Sequence, residues 1–211
     1  MAETAVETLA SVLRTRILSG ELAPGTPLRE EALSSEYELG RHTIRAALRQ
    51  LGGERLVSIQ PYSGARVTLL DDDDVRALMQ LRSALEGEAV RLLNRRSDDT
   101  TLAGIHTAND ELRRACLDSP TDRARIERAH AALHHAIVDA AGSPRITDAH
   151  ARLEAESILF LAQLRHVLDA EEMIRQHDQL VGDLLIRGED AIHEHLERAA
   201  DQLIAARAAD H

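Results

Sequence analysis

Apolar residues recur every three or four positions over most of the chain, and strict alternation is confined to one short stretch, so the pattern predicts a mainly helical protein. Val6, Leu9, Val12, Leu13, Ile17 and Leu18 keep helical spacing up to Gly20, which stands where a C-terminal cap belongs. The stretch from Glu21 to Pro27 is turn chemistry, with two prolines and a glycine close together. A second helix is expected over about 29–37. After the break Glu38-Leu39-Gly40, a third should start near Arg41, giving Ile44, Ala47, Leu48 and Leu51 to a core and Arg41, His42, Arg45 and Arg49 to solvent. Residues 56–60 and 65–68 alternate around a turn at Pro61-Tyr62-Ser63-Gly64, the pattern of a β-hairpin. Two short helices across a tight turn, the second displaying Arg near its start and followed by a hairpin, form the winged arrangement that sets side chains against base edges and phosphates.

Beyond residue 70 nothing reads as a strand. Helical periods run from Val75 through Leu92 and then through about 99–117, 122–141, 144–167, 170–187 and 190–208, interrupted at Ser119-Pro120, Gly142-Ser143-Pro144 and Gly188. Asp71 to Asp74 read as an N-cap with carboxylates favoured by the helix dipole. The expected fold is a winged helix-turn-helix head with a small β-hairpin, residues 1–70, and an all-α antiparallel bundle of about six helices, residues 71–211.

Composition sharpens this picture. The 211 residues are 44% apolar and 29% charged, enough to bury a core. No apolar run is long enough to span a bilayer, and Glu3 and Glu7 occupy the place where a signal peptide would be basic; a cytoplasmic protein is expected. Cys116 is the single cysteine, so any metal must be held by His and carboxylate. Three aromatic residues are too few for base stacking on aromatic platforms. Every basic residue is Arg, from which no function is drawn. Eight Arg balance eight acidic residues in the head, so the whole net charge of −11 lies in the bundle, and local placement of Arg matters more than the total. Ten of the 11 His lie beyond residue 100.

The runs Ile17-Leu18-Ser19-Gly20-Glu21-Leu22 with Pro24-Gly25, Leu39-Gly40-Arg41-His42-Thr43-Ile44-Arg45-Ala46-Ala47-Leu48, Leu56-Val57 and Gly64-Ala65-Arg66-Val67 resemble the winged head of the GntR family of bacterial transcription regulators. The resemblance implies that Arg41 and Arg45, with His42 and Thr43, face an operator and that the wing tip at Gly64 approaches the minor groove. Glu31 departs from the family pattern, which has a basic residue there. Leu81 to Ala89, and Leu133-His134-His135-Ala136-Ile137 ending at Ala141-Gly142-Ser143-Pro144, resemble the FCD ligand-binding domain of the FadR-like subgroup.

His130 and His134, four apart on one helix, project from one face at a spacing that lets two imidazoles share a metal. The resemblance implies ligands from three helices: His130 in place of the usual Asp, His134, His177, and His195 with His193 as its alternative, because the interval from His177 is about one turn short. Zinc comes first among divalent ions, with nickel or manganese as alternatives. The competing reading is surface or capped histidines on an Ala-rich bundle, and His42, His106, His135, His150, His166 and His211 are set aside as ligands. Arg82 is the candidate to fork onto a small organic or sugar acid bound at the metal; the alternative is an intrahelical pair with Glu86. The leading reading is a homodimeric repressor of a catabolic operon that binds a palindromic operator, with no membrane association. A metal-dependent hydrolase is the rival, although no His-Glu-x-x-His motif supplies a base. A regulator with a purely structural metal is the third.

Overall fold

The computed structural model describes residues 4–60, 64–96, 99–164 and 169–209. The chain divides into two compact units, Met1–Leu70 and Asp71–His211.

In the first unit, α1 (Ala5–Leu18) begins with a capping box. The Thr4 hydroxyl accepts from the Glu7 amide at 3.3 Å, and the Glu7 carboxylate accepts from the Thr4 amide at 2.8 Å. Its Leu9, Leu13 and Ile17 are buried against α3 (Arg41–Gly53), whose Ile44, Ala47, Leu48 and Leu51 face them as the spacing predicts. Between these lies α2 (Glu30–Tyr37), which ends with Glu38 in a left-handed conformation, φ 54°. The hairpin forms from β2 (Val57–Gln60) and β3 (Gly64–Val67), with Val57 opposite Val67; the predicted turn residues Pro61, Tyr62 and Ser63 lie outside the described residues. One strand was not expected. Pro27–Leu28, at the end of the stretch read above as turn, is β1, antiparallel to β3 at the sheet edge, where a proline lacking an N–H costs no ladder bond.

The second unit is all-helical in its described residues: α4 (Asp72–Arg96), α5 (Asp99–Asp118), α6 (Arg123–Asp139), α7 (Pro144–Ala151), α8 (Glu154–Leu164), α9 (Ala170–Arg187) and α10 (Glu189–Ala209). The start of α4 is capped reciprocally: the Asp71 carboxylate accepts from the Asp74 amide at 2.8 Å and the Asp74 carboxylate from the Asp71 amide at 3.3 Å. The period over 144–167 does not make one helix. It breaks at Arg152-Leu153, where the Leu153 amide turns back to the His150 carbonyl at 2.9 Å, and no Pro or Gly marks the place. Pro144 fits the first turn of α7, where its missing N–H is no loss. Helix α6 lies against α4, α5, α7 and α8, burying Leu133, Ile137 and Val138, each worth about 1.5–3 kcal/mol of transfer free energy. Helix α10 packs on α4 and α9. No helix among the described residues is long and apolar enough to cross a membrane.

Candidate functional sites

The spacing that buries Leu133 and Ile137 of α6 also turns His130 and His134 inward, where they meet His177 of α9 and His195 of α10. All four rings are buried, and one candidate ligand atom from each lies within 4.8 Å of the others. The ring centroids of His130 and His177, and of His177 and His195, are 4.6 Å apart. His193 is elsewhere: its Nε2 stands 2.6 Å from the place a Cβ on Gly87 would occupy, so the glycine admits this ring between α4 and α10. Gly188, at φ 62°, makes the turn between the helices that carry His177 and His195.

Hydrogen bonding fixes two of the tautomers. The Nδ1 of His177 lies 2.7 Å from the Met173 carbonyl, and that of His134 lies 2.7 Å from Glu86 Oε2. Both oxygens can only accept, so each Nδ1 carries the proton and each Nε2 keeps its lone pair. Those two Nε2 atoms, with Nδ1 of His130, are buried and have no hydrogen-bond partner among the described residues. Burial, the largest influence throughout, pushes His177 down to about 3 and His130 and His195 well below the ordinary imidazole range. It lowers His134 too, against the opposing pull of Glu86. The cluster is therefore a set of neutral imidazoles, two of them with lone pairs unpartnered among the described residues, costly for an apolar core and suited to a divalent cation.

Glu86 organises the surroundings. It is fully buried and accepts from Arg82 Nε at 2.7 Å, His134 Nδ1 at 2.7 Å and His150 Nε2 at 3.2 Å. Burial alone would raise its carboxyl; Arg82 and the two histidines more than reverse this and hold it well below the usual carboxylate range. A carboxylate behind a ligating His sets the ring's tautomer and strengthens its basicity. We expect Glu86→Gln to lower the affinity for a divalent ion about 10–100-fold, read by metal-buffered titration of the purified protein; unchanged affinity would detach Glu86 from the site.

A cavity of about 210 Å³ opens beside two of the four histidines, lined by His130, His134, Arg82, Arg128, His150 and Glu154. Arg82 pairs with Glu86 four residues on, the alternative read from sequence, and it also lines the cavity. Sequence reasoning missed Glu86 and His150 as members of this site. Of the other histidines set aside, His106 and His135 are exposed, the latter lining the same cavity, and His166 and His211 lie outside the described residues.

In the head, Arg41, His42, Arg45 and Arg49 stand exposed along α3, with Thr43 half-buried. Gly64, at φ 75°, has nothing within 4 Å of the place a Cβ would take. Two of these arginines are paired with acids on α2: Arg41 Nη2 with Glu31 at 3.0 Å, and Arg45 Nε with both carboxylate oxygens of Glu30 at 2.8 and 2.9 Å.

Comparison with known proteins accounts for both units. Residues 5–67 match the family described as bacterial regulatory proteins, gntR family, and residues 77–202 match the FCD domain. The chain is 31% identical over 171 residues to the HTH-type transcriptional repressor GlaR of Escherichia coli K12, covering 79% of this chain and 78% of that protein. It is 27% identical over 194 residues, 89% of this chain and 83% of the relative, to a Paenarthrobacter nicotinovorans protein named "Probable D-xylose utilization operon transcriptional repressor". The fold is shared with a GntR transcriptional regulator from Rhodococcus sp. RHA1 whose crystal structure superposes with a TM-score of 0.72 at 22% identity, over 95% of this chain and 98% of that one. The chain belongs to the GntR family of bacterial regulatory proteins, a DNA-binding transcriptional regulator, not an enzyme, with a helix-turn-helix head followed by an FCD domain.

Proposed function

We propose that this regulator is a repressor of a catabolic operon that acts in the cytoplasm as a homodimer on a palindromic operator, and that a small organic or sugar acid bound at a His-held divalent metal in the bundle controls it. The observation that carries the reading is the set of orphaned nitrogens on buried His130, His134 and His177 next to a cavity lined by Arg82 and Arg128. His130, His134, His177 and His195 would hold the ion, zinc first by its preference for imidazole, with nickel or manganese as alternatives. Bound there, the metal would supply Lewis acidity, and an effector carboxylate would join the four histidines only as a further ligand in an expanded shell. Four neutral ligands leave its positive charge uncompensated, and Arg128 at the cavity wall adds to the field an anion meets. Arg82 keeps Nε on Glu86 and lines the cavity, so it is the residue that would fork onto the acid. In the head, Arg41, His42, Thr43, Arg45, Arg49 and the wing tip at Gly64 would meet DNA.

An effector changes DNA affinity only by binding the DNA-competent and DNA-incompetent arrangements differently, typically by about 1–3 kcal/mol. A panel of organic and sugar acids, read first by thermal shift with and without metal and then by operator titration, tests the whole reading. We expect at least one acid to stabilise the metal-loaded protein more than the stripped one and to shift operator affinity 5- to 150-fold. In Arg82→Ala that response should weaken more than DNA binding itself does. Acids that stabilise the bundle while leaving the operator titration unmoved would make the metal purely structural.

A further inference from the structure

The pairing of the exposed arginines on α3 with acids on α2 is asymmetric. Glu30 takes Arg45 through Nε, the inner nitrogen of the guanidinium, so the bond braces the side chain. Glu31 takes Arg41 through Nη2, one of the two terminal nitrogens of the outer fork. That outer edge is what grips a phosphate or the O6 and N7 of guanine. Glu31 is the more exposed acid, with 81% of its side chain open against 35% for Glu30. Both acids sit in the first turn of α2, where the helix dipole favours a carboxylate, but the dipole does not decide which nitrogen each one takes.

Resting on the reading that α3 meets DNA, we infer that Glu31 sets the head's discrimination against nonspecific DNA by competing with phosphate for Arg41. A phosphate that grips Arg41 through its terminal nitrogens meets the Glu31 carboxylate already at Nη2, and either displaces it, leaving an unpaired carboxylate beside the phosphate, or sits against a second anion on the same guanidinium. An exposed pair of this kind is weak enough to open. On an arbitrary duplex nothing compensates the stranded Glu31. On a matched site the exocyclic amino group of cytosine, which a carboxylate accepts from, takes the place of the arginine. Glu31 therefore penalises every engagement except one that offers it a base donor.

The test uses the full-length protein and two duplexes, one enriched from a random pool by the wild type and one of scrambled sequence. Glu31→Gln should tighten binding to the scrambled duplex about tenfold and steepen the slope of log affinity against log salt by about one, the change expected from one added phosphate contact. The enriched duplex should gain less, so the ratio of the two affinities falls. In an Arg41→Ala background the same substitution should have little effect. Scrambled-duplex affinity and salt slope that stay put in Glu31→Gln overturn the inference, and so does a tightening that persists without Arg41. A wild type that enriches no sequence would sink the DNA-binding role of α3 itself, a separate outcome.

Discussion

A protein carrying both His134→Ala and His177→Ala should copurify without metal and lose all metal-dependent change in melting temperature. In the wild type the candidate ligands come from α6, α9 and α10, so an ion that binds only the folded state ties three helices together. At a free metal concentration about a thousandfold above the dissociation constant, mass action contributes about 4 kcal/mol. For a chain of this size that is about 8–16 °C in Tm. The quantity to follow is the difference between metal-loaded and chelated samples, because the double variant also removes buried orphaned nitrogens and opens space, effects of opposite sign on the metal-free protein. Zinc, nickel and manganese should each be tried. A wild type whose melting ignores all three, and which copurifies with none, would leave the four histidines as a packing feature of the bundle.

Several helices were legible because an apolar stripe comes with a boundary signal: Gly20 after α1, Gly142-Ser143-Pro144 between α6 and α7, Gly188 between α9 and α10. Where the structure departs from the pattern, no local signal exists. Helical spacing continues across Arg152-Leu153, and only the turn back to His150 separates α7 from α8. Likewise β1 depends on β3, some forty residues on, to make two residues a strand. The same contrast holds at the histidine cluster. His130 and His134 could be picked out from their four-residue spacing, and His177 and His195 from resemblance, since a ligand on a distant helix leaves no periodic trace. Glu86 could not be placed from sequence beyond its pairing with Arg82, because its bonds to His134 and His150 span 48 and 64 residues. Gly87, which seats His193 beside α4, is equally silent until the helices are packed.

Arg45→Ala should weaken operator binding by about 1–3 kcal/mol, roughly 5- to 150-fold, while leaving the fold intact. Stability should hold because the side chain is more than half exposed and its ion pair with Glu30 is of the surface kind that contributes little. The residues that anchor α3, Ile44, Ala47, Leu48 and Leu51, are untouched by the change. Binding should suffer because Glu30 fixes the inner nitrogen of Arg45 before DNA arrives, so less side-chain entropy is lost when the outer nitrogens meet a base or phosphate. On the same logic Glu30→Gln should weaken operator binding, opposite in sign to the gain expected on nonspecific DNA from Glu31→Gln. Anisotropy titrations across a salt series separate the possible roles of Arg45. A phosphate contact flattens the salt slope by about one and weakens all sequences alike, whereas a base contact weakens the operator and spares a scrambled duplex. Operator affinity unchanged in Arg45→Ala, with the melting temperature also unchanged, would remove α3 from the DNA interface and require another surface of the head to carry recognition.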